Sequence, residues 1–222
     1  MSPAVLNEST SLVQIEPHSM APGYIKIVGA LKLLLKEKEF NAITWAEIAR
    51  TAGVNEALIY KYFHDKRNLL YKVLRQFLEK YAALAEEELK VTSGALNKLR
   101  KAIWAQFNAY SEDRIFAKIL ILEVRNYPDY FKSETYELVK HWANSILEII
   151  EEGVRNGEIR SDISSRHLRQ IILGGIEHLC LPEIIFGRDF SPDTLTEELC
   201  EFIFHGIARS VEEKTDGGAG RE

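Results

Sequence analysis

Cysteine is almost missing from this chain of 222 residues: only Cys180 and Cys200 occur, with no Cys-x-x-Cys and no closely spaced histidine pair on one helix face. A metal centre is therefore not expected, and both thiols read as free and buried. Long apolar runs are missing too. The richest stretch, residues 171–186, is interrupted by Glu177, His178, Pro182 and Glu183, and the N-terminus lacks a basic region followed by an apolar one. No membrane span and no export signal is expected, which puts the chain in the cytoplasm. The sequence has no phosphate-binding glycine loop, no nucleophile elbow and no metal-ligand spacing, so neither an enzyme nor a cofactor is expected. The apolar-polar alternation of half-buried strands is lacking, and no internal repeat is evident.

What is present has the balance of an ordinary globular protein, with 46% hydrophobic and 27% charged residues. The length suits one large domain or a small domain followed by a larger one. The net charge of -5 is unevenly spread. Residues 22–80 hold 11 Lys and Arg against 6 Asp and Glu, whereas the remainder holds 17 against 27. A basic segment on an acidic body suits a module that approaches a polyanion, although a solvated helix face gives the same imbalance.

Apolar residues recur at helical spacing almost throughout. The first helix is expected over 22–37, with Ile25, Val28, Leu31, Leu34 and Leu35 on its apolar face. Thr44 and Glu47 form a capping box and Ile43 with Ile48 a hydrophobic staple, which marks the start of a second helix. Ala52-Gly53-Val54 breaks that pattern, and Asn55 caps a short third helix through Tyr62, so a tight glycine turn joins two short helices. A long helix follows over 66–90. Further helices are expected over 95–110, 114–125, 133–155, 165–186 and 192–213, separated by Asn-Tyr-Pro, Asn-Gly and Ser-Pro punctuation. Residues 1–20 read as a mobile arm and 214–222 as a tail.

These residues resemble a known family. Thr44-x-x-Glu47-Ile48-Ala49-x-x-Ala52-Gly53-Val54, followed by Leu58-x-Tyr60-x-Tyr62-Phe63-x-Asp65-Lys66-x-x-Leu69-Leu70, is similar to the DNA-binding domain of TetR-type regulators. The resemblance implies an all-α chain: an N-terminal three-helix helix-turn-helix DNA-binding domain over 21–68, then a larger helical ligand-binding and dimerisation domain over 69–213. It also implies a ligand-responsive regulator, most simply a repressor, that binds a palindromic double-stranded operator as a homodimer.

Within the motif, Ile48, Ala49, Val54, Ile59 and Phe63 are expected in the core, and Gly53 supplies the positive φ of the turn. Tyr60, Lys61, Tyr62 and Lys66, with Thr44, are candidate phosphate contacts. Base reading falls to Asn55, Glu56, Ala57 and Leu58, with Trp45 and Ala46 at the groove edge. Glu56 either accepts from cytosine N4 or only complements the helix dipole. Trp45 is either a groove contact or a packing residue.

In the C-terminal body, helix 165–186 is apolar on more than one face and must be covered on several sides. With the last helix, which carries Leu195, Leu199, Phe202, Ile203, Ile207 and Val211, it is expected to form the dimer interface, Gly174 and Gly175 permitting close approach. A ligand cavity is expected among Trp104, Phe107, Phe116, Leu120, Trp142, Ile146 and Leu173. Its polar contacts would come from Asn108, Tyr110, Glu123, Arg125, His141 and His178. Glu123-Val124-Arg125, residues 151–159 and Gly174-Gly175-Ile176-Glu177 resemble the FadR-like branch of TetR proteins, which implies a fatty acyl-CoA effector and brings Glu177 into the site. A helical interaction adaptor is the rival reading, and its surface has no need of the DNA-domain pattern.

Overall fold

A computed structural model of the chain describes residues 21–207, and among them every regular element is helical. The chain divides into two compact units, Met1–Val73 and Leu74–Glu222. That boundary lies five residues beyond the expected position and falls inside a continuous helix. The arm over 1–20, the tail over 214–222 and the last turns expected to 213 lie outside the described residues.

In the first unit, α1 (Pro22–Leu34) starts on a proline, which loses nothing at the first helical position. It buries Tyr24, Ile27, Val28, Leu31 and Leu34. Ile25, expected on that face, is instead 57% exposed, and Ile27 takes its place. The stripe Tyr24, Ile27, Val28, Leu31 keeps the three-and-four spacing that Ile25 breaks. The helix also ends earlier than 37, where Lys36 and Glu37 donate to Leu33 and Leu34 in tightening turns.

Helix α2 (Trp45–Ala52) has its capping box in place: the Glu47 amide donates to Thr44 Oγ1 at 3.2 Å, and the Thr44 amide to Glu47 Oε2 at 2.9 Å. Gly53, at φ 64°, closes the helix in the left-handed region where a side chain would be strained. Asn55 then caps α3 (Glu56–Phe63), its Oδ1 accepting from the Leu58 amide at 2.8 Å. His64, at φ 59°, makes a tight three-residue turn in which Asp65 N donates to Phe63 O. The Asp65 carboxylate accepts from the Asn68 amide at 2.8 Å and so starts α4 (Lys66–Lys90).

The second unit is built around α5 (Ala95–Glu112), which packs on α7 (Glu134–Asn156), α8 (Ser165–Phe186) and α9 (Pro192–Ile207). Gly94 has no side chain to cap α5, and the Glu158 carboxylate does so instead, accepting from the Ala95 and Leu96 amides at 3.0 and 3.3 Å. Gly153 makes that approach possible, since a Cβ there would lie 2.7 Å from Ala95 Cβ. Gly175 likewise leaves room for Leu199 of α9, whereas Gly174 faces open space.

The single helix expected over 114–125 does not form. Helix α6 (Arg114–Lys118) passes into a π-helical turn at Ile119–Glu123 and then into 3-10 turns at Val124–Asn126 and Pro128–Lys132. Ile119, Leu120 and Ile121 are all buried. Three consecutive residues cannot share one narrow α-helical face, and the wider turn accommodates them.

Candidate nucleic-acid interface and ligand cavity

The turn before α2 is held from below. Lys66 Nζ donates to the carbonyls of Phe40 and Ile43 at 3.1 and 2.8 Å and lies 4.6 Å from the centre of the Phe40 ring. Its ammonium is directed into the protein, against the expectation of an outward phosphate contact. Two carbonyl acceptors and an aromatic face outcompete solvent for a charge whose stem must cross the core edge. Glu47, beside Lys38 and the Thr44 donors, is held down to about 2, so α2 begins on a fixed negative charge.

Helix α3 presents Glu56, Ala57, Tyr60 and Lys61 to solvent, one and four residues apart on a single face, with Asn55 exposed at its start. Ala46 is exposed at the start of α2, and Thr44 is exposed but engaged in the cap. Trp45 is half-buried, its ring 5.0 Å from that of Tyr60, so packing positions both rings. Leu58 departs from its expected base-reading role: it is half-buried and turned toward α1, where a Cβ on Gly23 would meet it at 2.9 Å. Tyr62 is half-buried too, edge-on to Tyr24 at 5.9 Å. The face left for a groove is therefore narrow, with one cation, one anion, one phenol, one amide and two alanines.

The second unit contains a cavity of about 330 Å³ walled by α4, α5, α7 and α8 and by the turns after α6. Of the residues named for it, Leu120, Trp142, Leu173 and Glu177 line it, together with Tyr110 and Arg125. The others lie elsewhere. Phe107 and Ile146 are fully buried in the core, and Phe116 packs on Phe77 at 5.6 Å. Trp104 donates its indole proton to Asp193 at 2.7 Å, which ties α5 to the start of α9. Glu123 accepts from the Tyr127 hydroxyl at 3.1 Å, Asn108 is half-buried outside the lining, and His141 and His178 are exposed. Bulk drew attention to those aromatics, but a large side chain fills space more often than it borders a void.

A ligand wedged against the helix over 66–90 follows from the sequence reading, but that reading does not assign Phe77 and Tyr81 to the wall, nor the aromatic edge formed by Tyr130, Phe131 and Tyr136. A signal was available in small residues. Ala82, Ala85, Ala105, Ala109 and Ala143 all face the cavity, and alanine repeated on the inner faces of three helices leaves room that leucine would fill.

The walls are mostly apolar, and their polar groups are ordered. Trp142 Nε1 donates to Gln106 Oε1 at 2.9 Å, and Gln106 Nε2 donates to Tyr110 Oη at 3.1 Å. Arg125 grips Glu177 through both terminal nitrogens, at 2.8 and 2.6 Å, which raises the guanidinium's affinity for its proton. Burial, reinforced by the Glu177 charge, pushes the Tyr110 phenol well up, so it stays a neutral donor.

Comparison with known proteins accounts for both units. Residues 27–73 match the family described as bacterial regulatory proteins, tetR family, and residues 71–206 match the YsiA-like protein, C-terminal region. The fatty acid metabolism regulator protein of Bacillus subtilis (strain 168) is 26% identical over 186 residues, spanning 84% of this chain and 96% of that protein. The solved structure of the transcriptional regulator FadR from Bacillus subtilis in complex with stearoyl-CoA superposes with a TM-score of 0.74 at 25% identity. It covers 83% of this chain and 99% of its own. The fatty acid degradation regulator FadR from Bacillus halodurans has the same fold, with a TM-score of 0.74 at 21% identity over 85% of this chain and 98% of its own. With a matching helix-turn-helix at its N-terminal end and a matching regulatory body over more than half its length, this chain belongs to the TetR family of DNA-binding transcriptional regulators.

Proposed function

We propose that this protein is a cytoplasmic repressor that binds a palindromic operator as a homodimer and is released by a fatty acyl-CoA. The observation that carries the effector is the apolar cavity of about 330 Å³ with a small polar cluster in its wall. Apolar walls with few polar groups suit an aliphatic chain bearing one polar function, and the Bacillus subtilis FadR structure contains stearoyl-CoA.

The dimer is supported by what α8 and α9 leave uncovered. Leu168, Ile172, Ile176, Cys180 and Ile184 turn inward on α8, while Ile171, Ile185 and Phe186 are 62%, 46% and 72% exposed and Phe202 of α9 is 81% exposed. Side chains of that size rarely cluster in water without a partner. Two such helix pairs form a four-helix interface with two-fold symmetry, and two-fold symmetry calls for a palindrome.

Release follows from linkage. Phe77, Tyr81 and Ala85 of α4 line the cavity, so a ligand there bears on the helix that continues into the helix-turn-helix unit. An effector lowers operator affinity only if it prefers a conformation that DNA disfavours. Duplexes selected from a random pool should bind as two protomers per site by fluorescence anisotropy and be released by palmitoyl-CoA. Operator retained at saturating palmitoyl-CoA overturns the effector assignment, whereas failure to hold any duplex at low salt overturns the DNA-binding role.

A further inference from the structure

The exposed first turn of α3 bears on which base pairs the protein selects, and the reasoning rests on the DNA-binding reading above. In a helix-turn-helix the first residues of the second helix meet the base edges. Here that turn offers Asn55, Glu56 and Ala57 to solvent. Leu58 seats against Gly23 of α1, where a Cβ would lie 2.9 Å away, and so fixes the rotation of α3 that turns Glu56 and Ala57 outward. Two of the three outward residues cannot single out a base by hydrogen bonding. Asn55 Oδ1 is turned back on the helix end, where it accepts from the Leu58 amide at 2.8 Å. That leaves Nδ2 as a lone donor, which guanine, adenine and thymine all satisfy in the major groove. Ala57 has only a methyl.

Glu56 is different. Its side chain is exposed and has no hydrogen bond or ion pair among the described residues, so both carboxylate oxygens are open. An ionised carboxylate only accepts. Cytosine presents a single N4 donor in the major groove, whereas adenine sets an N7 acceptor beside its N6 donor and so repels the second oxygen. Guanine and thymine offer no donor there. The phosphates repel the carboxylate on every sequence, and only a cytosine at the right step offsets that repulsion.

We infer that Glu56 reads one cytosine in each operator half-site by accepting from its N4 amino group, and that it is the main source of base choice on this helix. The carboxylate lowers affinity for DNA at large and restores it at one base pair, and specificity is the difference between the two.

The test uses full-length protein and duplexes selected from a random pool. The native protein should select one C·G pair at a fixed place in each half-site. N4-methylcytosine at that place keeps its pairing with guanine but puts a methyl where the groove hydrogen stood. It should weaken native binding at least about fivefold. Glu56→Ala should bind the cytosine and N4-methylcytosine duplexes alike, and its own selected pool should lose the preference at that position alone. It should also bind unselected duplex about threefold more tightly than the native protein at low salt, because a charge facing the phosphates is gone. That gain of binding cannot come from misfolding. A native pool without the shared cytosine, a Glu56→Ala pool that keeps it, or native protein indifferent to N4-methylcytosine overturns the inference while the DNA-binding reading stands. Native protein that holds no duplex at low salt overturns both.

Discussion

Lys61 and Lys66 are both lysines of the DNA-binding motif, yet they face opposite surroundings. Lys61 is exposed on α3, while Lys66 reaches inward to two carbonyls and the Phe40 ring. Their removal should therefore have different signatures. Lys61→Ala should lower affinity for every sequence and reduce the salt slope by about 1 per protomer, because a phosphate contact releases counterions. Lys66→Ala should leave the slope unchanged, cost the fold about 1.5–3 kcal/mol, and weaken operator binding only by loosening the start of α2. Thermal melts with anisotropy at several salt concentrations separate the two, and a reduced slope in Lys66→Ala would restore its outward role. The sequence pattern could not make this distinction. It records that a lysine follows the Tyr-x-Tyr-Phe run but not that Phe40 and Ile43, more than twenty residues earlier, would turn their carbonyls toward it.

Elements with local causes were legible. The Thr44–Glu47 box, the Gly53 turn, the Asn55 cap and the bounds of α4 and α8 each depend on residues a few positions apart, and the structure has them where the spacing put them. The segment after Arg114 was not legible, because its π-helical turn answers to burial of Ile119, Leu120 and Ile121 by the rest of the unit. The cavity was hidden for a related reason: periodicity separates inside from outside, whereas a void depends on how several inner faces fail to meet. The two-sided character of α8 was visible and supports a prediction at this scale. Phe202→Glu places a charge on the most exposed large side chain of α9. If the proposed interface holds, it should convert a dimer of 25.4 kDa chains to a single chain by light scattering, without lowering helical content. A Phe202→Glu variant that remains dimeric would move the interface elsewhere.

For the whole molecule, the charge imbalance along the sequence acquires a division of labour. The basic segment contains the helix-turn-helix, and the acidic remainder contains most of the cavity wall and the uncovered helix pair. Only α4 belongs to both units by residue number. In the proposed mechanism, coupling between operator and effector is reciprocal: whatever factor the ligand takes from DNA affinity, DNA takes from ligand affinity. The requirement is that the cavity, and no surface site, transmits the signal. The most direct measurement is operator affinity with and without saturating palmitoyl-CoA, in the native protein and in Ala105→Phe, which fills the cavity from α5. The native protein should lose at least about tenfold in affinity. The filled variant, shown to be folded by its melting curve, should bind operator normally and ignore palmitoyl-CoA. An equal loss in both, or none in the native protein, would contradict control through the cavity.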